Sequence, residues 1–394
     1  MSPRRPARIG IDAHLLSFAG SYRQAGVSRY IAELLRDFAT ADPVAGQAYT
    51  AFVGPEPVPP AFLPATGGPL RFVQSRLPTG RPPVRIAWEQ ALGPLAAVRA
   101  RLDLFHGPVN ALPLAAPCRA IVTIHDLAFL AHPETLGAGR RRYLTAITAL
   151  SARRAAKIIA VSAFTRDEIV ARLGIPADKI TVVHNAVDAA FAPLPADEIA
   201  RFRAEQGLPE RFLLCVGTLE PRKNLIGLLD AFARLAPHTD AALIVVGGQG
   251  WLYDDALARV ATLGLTGRVR FAGFVPDADL PRWYNAASAF VYPSLYEGFG
   301  LPPLEALACG VPTVTSAGTA MAEVVGDAAL LADPRDPPSL AAALGRALDD
   351  PTLRAVLRQA GPRRAATFGW ARAAAATRAV YDEVLERSRP YPAS

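Results

Sequence analysis

Short runs of consecutive apolar residues alternate along the chain with longer segments in which apolar residues recur every three or four positions. Ala120-Ile-Val-Thr-Ile124 is typical of the runs, and its lack of polar alternation indicates a parallel strand covered on both faces. Segment 27–38 is typical of the longer segments, because its apolar residues fall on one helical face. Repeated strand–helix units of this kind predict an α/β fold built on doubly wound parallel sheets.

The strand pattern occurs twice, once in each half of the chain. In the first half it predicts strands at Arg8–Ala13, Tyr49–Val53, Leu70–Gln74, Leu102–His106, Ala120–His125, Lys157–Ser162 and Ile180–Asn185. In the second half it predicts strands at Phe212–Gly217, Ala242–Gly247, Val269–Val275, Ala289–Ser294, Thr313–Ser316 and Ala329–Ala332. About a dozen strands are too many for a typical single sheet, so two Rossmann-like domains are expected.

The boundary between the two domains is expected near residues 188–208, where Pro193 and Pro195 interrupt the strand–helix pattern. Residues 1–190 then form the first domain, and residues 191–369 form the second.

The helices predicted between the strands include Val27–Phe38, Leu225–Leu235, Asp255–Leu263, Leu280–Ala287 and Ser339–Leu348. The final predicted helix, Trp370–Arg387, carries an apolar stripe that needs a surface to cover. We therefore expect segment 370–394 to pack back on the first domain. Segments 54–69 and 76–87 are rich in proline and glycine and are expected to be loops.

The composition is that of a globular protein with large cores, because 51% of the residues are hydrophobic and 20% are charged. No apolar stretch approaches the roughly 18 residues of a membrane span, and the basic N-terminus lacks the apolar core of a signal peptide. Cys118, Cys215 and Cys309 are far apart in apolar surroundings, which predicts buried free thiols in a reducing compartment. These features favour a cytoplasmic protein.

Charge is uneven along the chain. Residues 1–190 hold 22 basic and 13 acidic side chains, a net charge of +9, whereas residues 191–394 hold 20 and 22, a net charge of −2. Arg140–Arg142 and Arg153–Arg154 fall within one helix-like stretch. This basic half is open to three interpretations: peripheral contact with an anionic membrane at the inner face of the plasma membrane, contact with a phosphate-bearing acceptor, or a solvated helix face. Nucleic acid is not an expected partner, because no interleaved aromatic residues and no binding motif occur.

Two glutamates eight positions apart, Glu297 and Glu305, carry the clearest chemical signal. They flank the start of a predicted helix that follows an apolar strand, with Gly298 and Gly300 before the helix. The unpaired amides at a helix start attract phosphate, and glycines let a ligand approach the backbone. One of the two carboxylates could bind hydroxyls on one side of a diphosphate, and the other could bind hydroxyls on the far side. A molecule with sugars at both ends of a diphosphate is a nucleotide sugar. An ordinary strand–turn–helix with a capping glutamate is the alternative for this segment alone.

A second segment places two cations after another strand. Strand Phe212–Gly217 leads into Thr218-Leu-Glu-Pro-Arg-Lys-Asn224, and doubly wound folds bind ligands at this end of a strand. Arg222 and Lys223 would stabilise the charge that develops when a sugar–phosphate bond breaks. Taken alone, the pair could also be a basic turn near a helix start.

The chain resembles the retaining, nucleotide-sugar-dependent glycosyltransferases of family 4, which have the GT-B architecture. The resemblance is dense over Val216–Asn224, Leu243–Gly248, Val269–Val275, Tyr296–Glu305, Gly310–Pro312 and Ala328–Pro334. It is looser in the first half, over Gly26–Arg29, His125–Asp126 and Val183–Asp188. It implies two Rossmann-like domains that face each other across a cleft, with the acceptor bound by the first domain and the donor by the second.

The resemblance also implies residue roles. Glu297 would bind hydroxyls of the donor hexose, Glu305 the nucleotide ribose, and Arg222 with Lys223 the diphosphate. His125 would reach across the cleft to the donor sugar, although a histidine after an apolar strand can also be a satisfied buried group.

The remaining donor-site residues are implied in the same way. They are Gly217 and Thr218 after the first donor-domain strand, Phe274 and Val275 beside the base, Gly298, Phe299, Gly300 and Leu301 through their amides, and Gly26 on the acceptor or phosphate side. In one departure, many relatives carry an arginine at the position of Thr218, which leaves open which cations hold the phosphate.

No metal or other cofactor is expected beyond the nucleotide diphosphate sugar, which is a co-substrate. Asp277-Ala-Asp279 resembles the paired aspartates that bind metal in other sugar transferases, but it precedes a predicted helix and is better interpreted as a cap. The histidines lack metal-ligand spacing.

The predicted activity is transfer of a hexose to a glycan or lipid-linked acceptor in cell-envelope or exopolysaccharide biosynthesis. The predicted sugar is mannose and the predicted donor GDP-mannose, because the Glu220-Pro-Arg-Lys-Asn224 form of the loop resembles that of mannosyltransferases. The resemblance favours retention of the anomeric configuration, with the departing phosphate helping to deprotonate the acceptor hydroxyl. Two alternatives keep the fold: a nucleotide-sugar epimerase or hydrolase, and a catalytically silent subunit that binds the donor.

Overall fold

The computed structural model describes residues 5–17, 26–40, 46–62, 68–248 and 253–386. The chain divides into two compact units. Unit 1 comprises Met1–Asn185 together with Trp370–Ser394, and unit 2 comprises Ala186–Gly369. The division after Asn185 lies ahead of residue 190, where the sequence analysis placed the boundary.

Unit 1 is built on a parallel sheet whose strands all occur where the sequence predicted them. They are β1 (Ala7–Ala13), β2 (Gln47–Val53), β3 (Leu70–Gln74), β4 (Leu104–Gly107), β5 (Arg119–Ile124), β6 (Lys157–Ala160) and β7 (Ile180–Val182). Within the described residues the sheet has seven strands in the order β3-β2-β1-β4-β5-β6-β7. The strand order therefore reverses between β1 and β4, which pair directly.

Helices cover both faces of this sheet. They are α1 (Val27–Thr40), α2 (Pro82–Ala87), α3 (Gly93–Arg99), α4 (Ala128–Ala131), α5 (Ala138–Arg154), α6 (Ala163–Leu173) and α15 (Trp370–Glu386). Buried residues of α1 and α15 form one apolar cluster with the sheet, and buried residues of α5 and α6 form another. Helix α15 contributes Ala374, Tyr381 and Val384 to the first cluster, so the end of the chain completes the core of unit 1.

Unit 2 repeats the architecture around a second parallel sheet. Its strands are β8 (Phe212–Val216), β9 (Ala242–Val246), β10 (Val269–Gly273), β11 (Ala289–Tyr292), β12 (Thr313–Ser316) and β13 (Leu330–Ala332). Its helices are α7 (Ala196–Gln206), α8 (Leu225–Leu235), α9 (Tyr253–Thr262), α10 (Leu280–Ala286), α11 (Leu301–Ala308), α12 (Ala320–Val325), α13 (Pro337–Asp349) and α14 (Pro351–Ala365). The strand order is β10-β9-β8-β11-β12-β13, so the order reverses between β8 and β11. Ligands of doubly wound sheets bind at such a reversal, outside the carboxyl ends of the strands.

One sequence expectation was wrong in part. Segment 76–87, expected to be a loop, contains helix α2, because Pro82 and Pro83 occupy the first helical turn, where proline needs no amide partner. A single π-helical turn, Trp88–Leu92, then joins α2 to α3. The region expected to hold the boundary contains helix α7.

The three cysteines are free thiols, as predicted. Cys215 and Cys309 are buried, whereas Cys118 is only half-buried, which corrects the expectation for that residue. Among the described residues, no helix combines the length and the apolar composition that crossing a lipid bilayer requires.

The ends of β8 and β9 approach so closely that only glycine fits at Gly247. Gly247 has a φ of 155°, and a Cβ atom there would lie 2.0 Å from the carbonyl oxygen of Gly217. Because Gly217 leads into the loop that carries Arg222 and Lys223, this contact fixes where that loop begins.

We therefore predict that Gly247→Ala lowers the free energy of unfolding of unit 2 by at least about 2 kcal/mol, because it adds backbone strain and a clash with the Gly217 backbone. Gly248→Ala is the matched control, since a Cβ at Gly248 meets no atom of the described residues within 4 Å. Denaturant unfolding of both variants tests the prediction, and equal losses would contradict it.

A buried hydrogen-bonded chain ties α15 to the sheet of unit 1. His106 Nδ1 lies 2.7 Å from the Tyr381 hydroxyl, and His106 Nε2 lies 2.8 Å from the Thr123 hydroxyl. Thr123 in turn lies 3.1 Å from the hydroxyl of Tyr30 on α1. Burial lowers the pKa of His106 to about 3, so this histidine is neutral near pH 7.

The lowered pKa of His106 predicts a loss of stability in mild acid. Histidine in the unfolded chain binds a proton below about pH 6.5, whereas folded His106 resists protonation, so stability is present above that pH and falls as the pH drops. Between pH 7 and pH 5 we expect the wild type to lose about 2 kcal/mol more than His106→Gln, as measured by urea unfolding. Identical pH dependence in the two proteins would contradict this assignment.

Candidate active site

The reversal of strand order in unit 2 brings two loops together. Arg222 and Lys223 lie in a short 3-10 turn, Pro221–Lys223, that follows β8, and Glu297 lies in the loop that follows β11. The backbone carbonyl of Arg222 accepts hydrogen bonds from the Leu295 amide at 2.8 Å and the Ser294 hydroxyl at 3.0 Å. The two loops are therefore joined through the backbone as well as through their charged side chains.

Glu297 is the centre of a compact ionic cluster. Its Oε2 lies 2.9 Å from Arg222 Nη1, and its Oε1 lies 2.5 Å from Lys223 Nζ. Oε1 also accepts hydrogen bonds from the Tyr292 hydroxyl at 3.0 Å and the Ser294 hydroxyl at 2.9 Å. The carboxylate is thus held at both oxygens, and its orientation is fixed before any ligand binds.

The cluster stays ionised although it is largely buried. Burial by itself would raise the pKa of Glu297, but the charges of Arg222 and Lys223 outweigh it and lower that pKa to about 2. Burial and the neighbouring charge of Arg222 lower the pKa of Lys223, and the charge of Glu297 partly offsets them. With all three groups charged, this buried part of the site carries one net positive charge, which favours an anionic ligand, while the neighbouring Glu220 carboxylate, 3.8 Å from Arg222 Nη2, is partly exposed to solvent and screened.

Helix α11 begins beside this cluster. Gly300, the residue before the helix, has a φ of 98°, and a Cβ there would lie 2.6 Å from Met321 Cγ, so the turn requires glycine. Gly298, Phe299 and Gly300 are buried, and Leu301 is half-buried. The segment between Glu297 and the helix is therefore packed into unit 2.

Glu305 does not join the ionic cluster. It is buried within α11, and its Oε2 accepts a hydrogen bond of 2.8 Å from the Tyr284 hydroxyl of α10. Burial and the charge of Glu305 raise the pKa of Tyr284 well above its usual value, so this tyrosine remains a hydrogen-bond donor. The two glutamates of the motif thus have different surroundings.

The other donor-site candidates of unit 2 lie at strand ends. Gly217 follows β8 and is half-buried, and Thr218 is exposed. Phe274 follows the edge strand β10 and is 46% exposed, which is high for a phenylalanine and leaves its ring available for contact. Val275 is half-buried.

Two candidates belong to unit 1. His125 follows β5 directly, and its Nε2 lies 2.8 Å from the carbonyl oxygen of Pro108. Burial lowers the pKa of His125, so it is neutral, with the proton on Nε2 donated to Pro108 and a lone pair on Nδ1. Gly26 has a φ of 40° before α1, and residues 18–25 of its loop lie outside the described residues.

Three residues of the site were missed by the sequence analysis. Tyr292 and Ser294 bind Glu297, and Tyr284 binds Glu305. The sequence does contain a signal for Tyr292 and Ser294, because side chains at alternate positions of an extended segment point to the same face. No comparable pattern links Tyr284 on α10 to Glu305 on α11.

In the part of the chain that the structure describes, no three histidine, cysteine, aspartate or glutamate side chains come together in a group that could hold a metal ion. Asp279 stands at the residue before α10, as a cap would, but its side chain makes no capping hydrogen bond and instead pairs with Arg282. The expected capping interaction is therefore wrong in detail.

Two family models match this chain. The model described as "Glycosyl transferases group 1" matches residues 197–364, and the model described as "Glycosyltransferase Family 4" matches residues 24–191. Two Rossmann-like units with this site define a glycosyltransferase of the GT-B architecture. The chain belongs to glycosyltransferase family 4.

Similar proteins are found among both sequences and structures. The O-antigen chain mannosyltransferase B of Escherichia coli is 40% identical over 271 residues, which are 68% of this chain and 71% of that protein. The serotype-specific mannosyltransferase WbdA of Escherichia coli is 31% identical over 266 residues, which are 66% of this chain but only 32% of that protein. The structure of Anabaena Alr3699/HepE in complex with UDP shares the fold with a TM-score of 0.73 at 19% identity, covering 96% of this chain and 100% of that chain.

The ionic cluster predicts a stability effect that requires no ligand. Glu297→Gln leaves the largely buried charges of Arg222 and Lys223 without their carboxylate, so we expect the free energy of unfolding to fall by about 3 kcal/mol. Denaturant unfolding at neutral pH measures this loss.

Glu220→Gln is the control, because Glu220 is 38% exposed and lies 3.8 Å from Arg222 Nη2. An exposed pair of this kind contributes little, so a change within about 0.5 kcal/mol is expected. A loss of the same size in both variants would show that Glu297 is not the central anion of the cluster.

Proposed function

We propose that this glycosyltransferase moves a hexose from a nucleotide diphosphate sugar to a glycan or lipid-linked acceptor. The observation that carries the proposal is the cationic cluster of Arg222 and Lys223 around Glu297, at the point where strand order reverses in unit 2. This is the position at which doubly wound sheets bind nucleotides.

The charge of the cluster suits a diphosphate leaving group. As the bond between sugar and phosphate breaks, negative charge grows on the diphosphate, and fixed cations in a water-poor site stabilise it without having to reorganise. Glu297 holds both cations in place, and its carboxylate can also accept hydrogen bonds from sugar hydroxyls.

The remaining binding roles follow from the surroundings of each group. Glu305 is proposed to bind the ribose. A ribose hydroxyl would then have to reach the Glu305 carboxylate, which accepts a hydrogen bond from the Tyr284 hydroxyl in this structure. The 46%-exposed ring of Phe274 is proposed to lie by the base. His125 is proposed to accept a hydrogen bond from a donor-sugar hydroxyl at the Nδ1 lone pair, because its Nε2 proton is donated to Pro108.

Mannose is the proposed sugar and GDP-mannose the proposed donor. The support is the pair of Escherichia coli mannosyltransferases to which this chain is similar, one of which is described as acting on O-antigen chains. The fold neighbour in complex with UDP supports a nucleotide ligand in general. The same relatives support a role in building a cell-envelope polysaccharide. The proposed location is the cytoplasm, at the inner face of the plasma membrane, where the net positive charge of residues 1–190 would favour contact with anionic lipid.

Transfer is proposed to retain the anomeric configuration and to need no metal. The departing phosphate would accept the proton of the acceptor hydroxyl while that hydroxyl attacks from the same face. The chain's own contribution is then positioning of the donor and stabilisation of the leaving group by Arg222 and Lys223. Analysis of the anomeric configuration of the product, with and without a chelator, tests both points.

The test of the donor is a thermal-shift series with GDP-, UDP- and ADP-sugars. We expect GDP-mannose to raise the melting temperature most, because a ligand that binds only the folded protein stabilises it. Absence of any shift across the series would overturn the proposal of a nucleotide-sugar donor.

Product formed without acceptor would instead favour an epimerase or hydrolase, and nucleotide binding without turnover across a broad acceptor panel would favour a silent subunit.

Lys223→Ala should reduce turnover by about 100-fold or more, because it removes a cation that contacts the leaving group. Arg346→Ala is the control, since Arg346 is an exposed cation on α13 of the same unit. Turnover is measured as nucleotide diphosphate release with acceptor present. Near-normal turnover in Lys223→Ala would rule out its role in the site.

A further inference from the structure

Unit 1 contains a cavity of about 370 Å³ that none of the proposed donor roles uses. Edge strand β3 and the turn after it form one side, and α3 with the preceding π-helical turn forms the other. Its lining includes His14 at the floor, Arg71 and Val73 on β3, Leu92 on the π-helical turn, and Leu95 and Arg99 on α3, and the cavity is called the β3–α3 groove here. Its volume is within the range of about 300–1,000 Å³ that is usual for ligand pockets.

The mouth of the groove is apolar and open to solvent. Val73 is 43% exposed, Leu92 is 40% exposed and Leu95 is 52% exposed. Three large aliphatic side chains exposed around one cavity are unusual on a surface that has no partner, because each costs free energy in water. The mouth therefore fits an aliphatic ligand.

Two cations stand in the same groove. Arg71 donates from Nε to the Thr50 hydroxyl at 2.8 Å, and within the described residues neither Arg71 nor Arg99 forms an ion pair with a carboxylate. A guanidinium presents several donors in a plane and binds phosphate oxygens in pairs. The groove thus combines aliphatic contact with an unneutralised double positive charge.

The floor supplies an independent sign of a polar ligand. His14 is 4% exposed, its ring lies 3.9 Å from the ring of Trp88, and its Nδ1 is 2.7 Å from Asp12 Oδ1. The other ring nitrogen, Nε2, is buried and has no hydrogen-bond partner among the residues that the structure describes. A buried polar atom of this kind is costly unless something binds it, and native proteins satisfy nearly all such atoms.

We propose that the β3–α3 groove binds a lipid phosphate, with the aliphatic chain on Val73, Leu92 and Leu95 and the phosphate between Arg71 and Arg99. The inference rests on the proposed function and deepens it, because it makes the acceptor lipid-linked and not a free glycan. Because His14 Nδ1 donates to Asp12, its Nε2 presents a lone pair, which accepts a hydrogen bond from the hydroxyl of the singly protonated phosphate of the same ligand.

The composition of the groove argues against other ligands. A free glycan would need many hydrogen-bonding groups, whereas the mouth offers aliphatic side chains. A flat membrane contact would use the exposed apolar residues of α3 without regard to the cavity, and it would leave His14 without a partner. A phosphate joined to an aliphatic chain meets the apolar, cationic and buried polar features together.

Dodecyl phosphate is the probe, and binding to the full chain is measured by titration calorimetry. Inorganic phosphate and dodecanol are tested beside it, and both should bind at least about tenfold more weakly, because each lacks one half of the recognised group. If dodecanol bound as tightly as dodecyl phosphate, the groove would recognise only the apolar chain. If inorganic phosphate bound as tightly, the groove would recognise only the anion. Either result would overturn the proposal.

Two matched pairs of variants locate the binding site. Leu95→Asp and Val98→Asp place the same charge on α3 at residues that are 52% and 57% exposed, but only Leu95 lines the groove. Arg99→Glu and Arg101→Glu reverse two neighbouring exposed charges, and only Arg99 lines the groove. We expect Leu95→Asp and Arg99→Glu to weaken binding at least about tenfold, with Val98→Asp and Arg101→Glu within about twofold of wild type.

Equal weakening within each pair would indicate a flat membrane contact and would overturn the groove. All four positions are exposed, and melting temperatures confirm that each variant is folded. The nucleotide-sugar thermal shift of the wild type separates the two proposals. A preserved nucleotide shift without dodecyl phosphate binding disproves the groove alone, whereas the absence of any nucleotide shift disproves the proposed donor.

Discussion

The carboxylate of Glu297 is the group on which the arrangement of unit 2 at its functional end depends. It lies within 2.9 Å of two cations on the loop after β8, whereas Glu297 itself lies on the loop after β11, and those loops follow the two strands between which the order of the sheet reverses. Without that carboxylate, Arg222 and Lys223 would repel each other in a poorly hydrated place. The ion pairs of Glu297 therefore join the two loops, and they also hold Arg222 and Lys223 where a diphosphate would bind. The interaction that stabilises this end of unit 2 is the one that positions its charged groups.

Much of the fold was predictable because its periodic signals are local. Every predicted strand is present, and helices such as α8 and α13 lie where the apolar stripes placed them. Helix α14 was missed, since Gly361 and Pro362 inside it look like a break in a helix. The glycine has a tertiary reason instead: a Cβ at Gly361 would lie 2.8 Å from the carbonyl oxygen of Leu307 in α11. The sequence of α14 alone does not indicate that Leu307 lies so close to it.

The site was predictable in part for the same reason. The clustering of Arg222, Lys223 and Glu297 followed from the rule that parallel strands end at one edge of a sheet. The burial of Glu305 against Tyr284 did not, because it depends on how α10 packs beside α11. The β3–α3 groove was also out of reach, since its lining comes from β3, the π-helical turn Trp88–Leu92, α3 and the residue that follows β1, which are far apart in the sequence. Spacing along a sequence describes one element at a time, whereas these features belong to pairs of elements.

The position of α15 has a consequence for biosynthesis. A ribosome that has finished β7 must still translate all of Ala186–Gly369 before the helix that supplies Tyr381 to the core of unit 1 emerges. At the usual elongation rates of about 5–20 residues per second, that delay is on the order of 10–40 seconds. During this interval the face of the first sheet destined for α15 is uncovered on the nascent chain, while unit 2 has its complete sequence and can fold first. The second half of this enzyme is thus able to mature before the first, and chaperones would be needed most by the part that was made earliest.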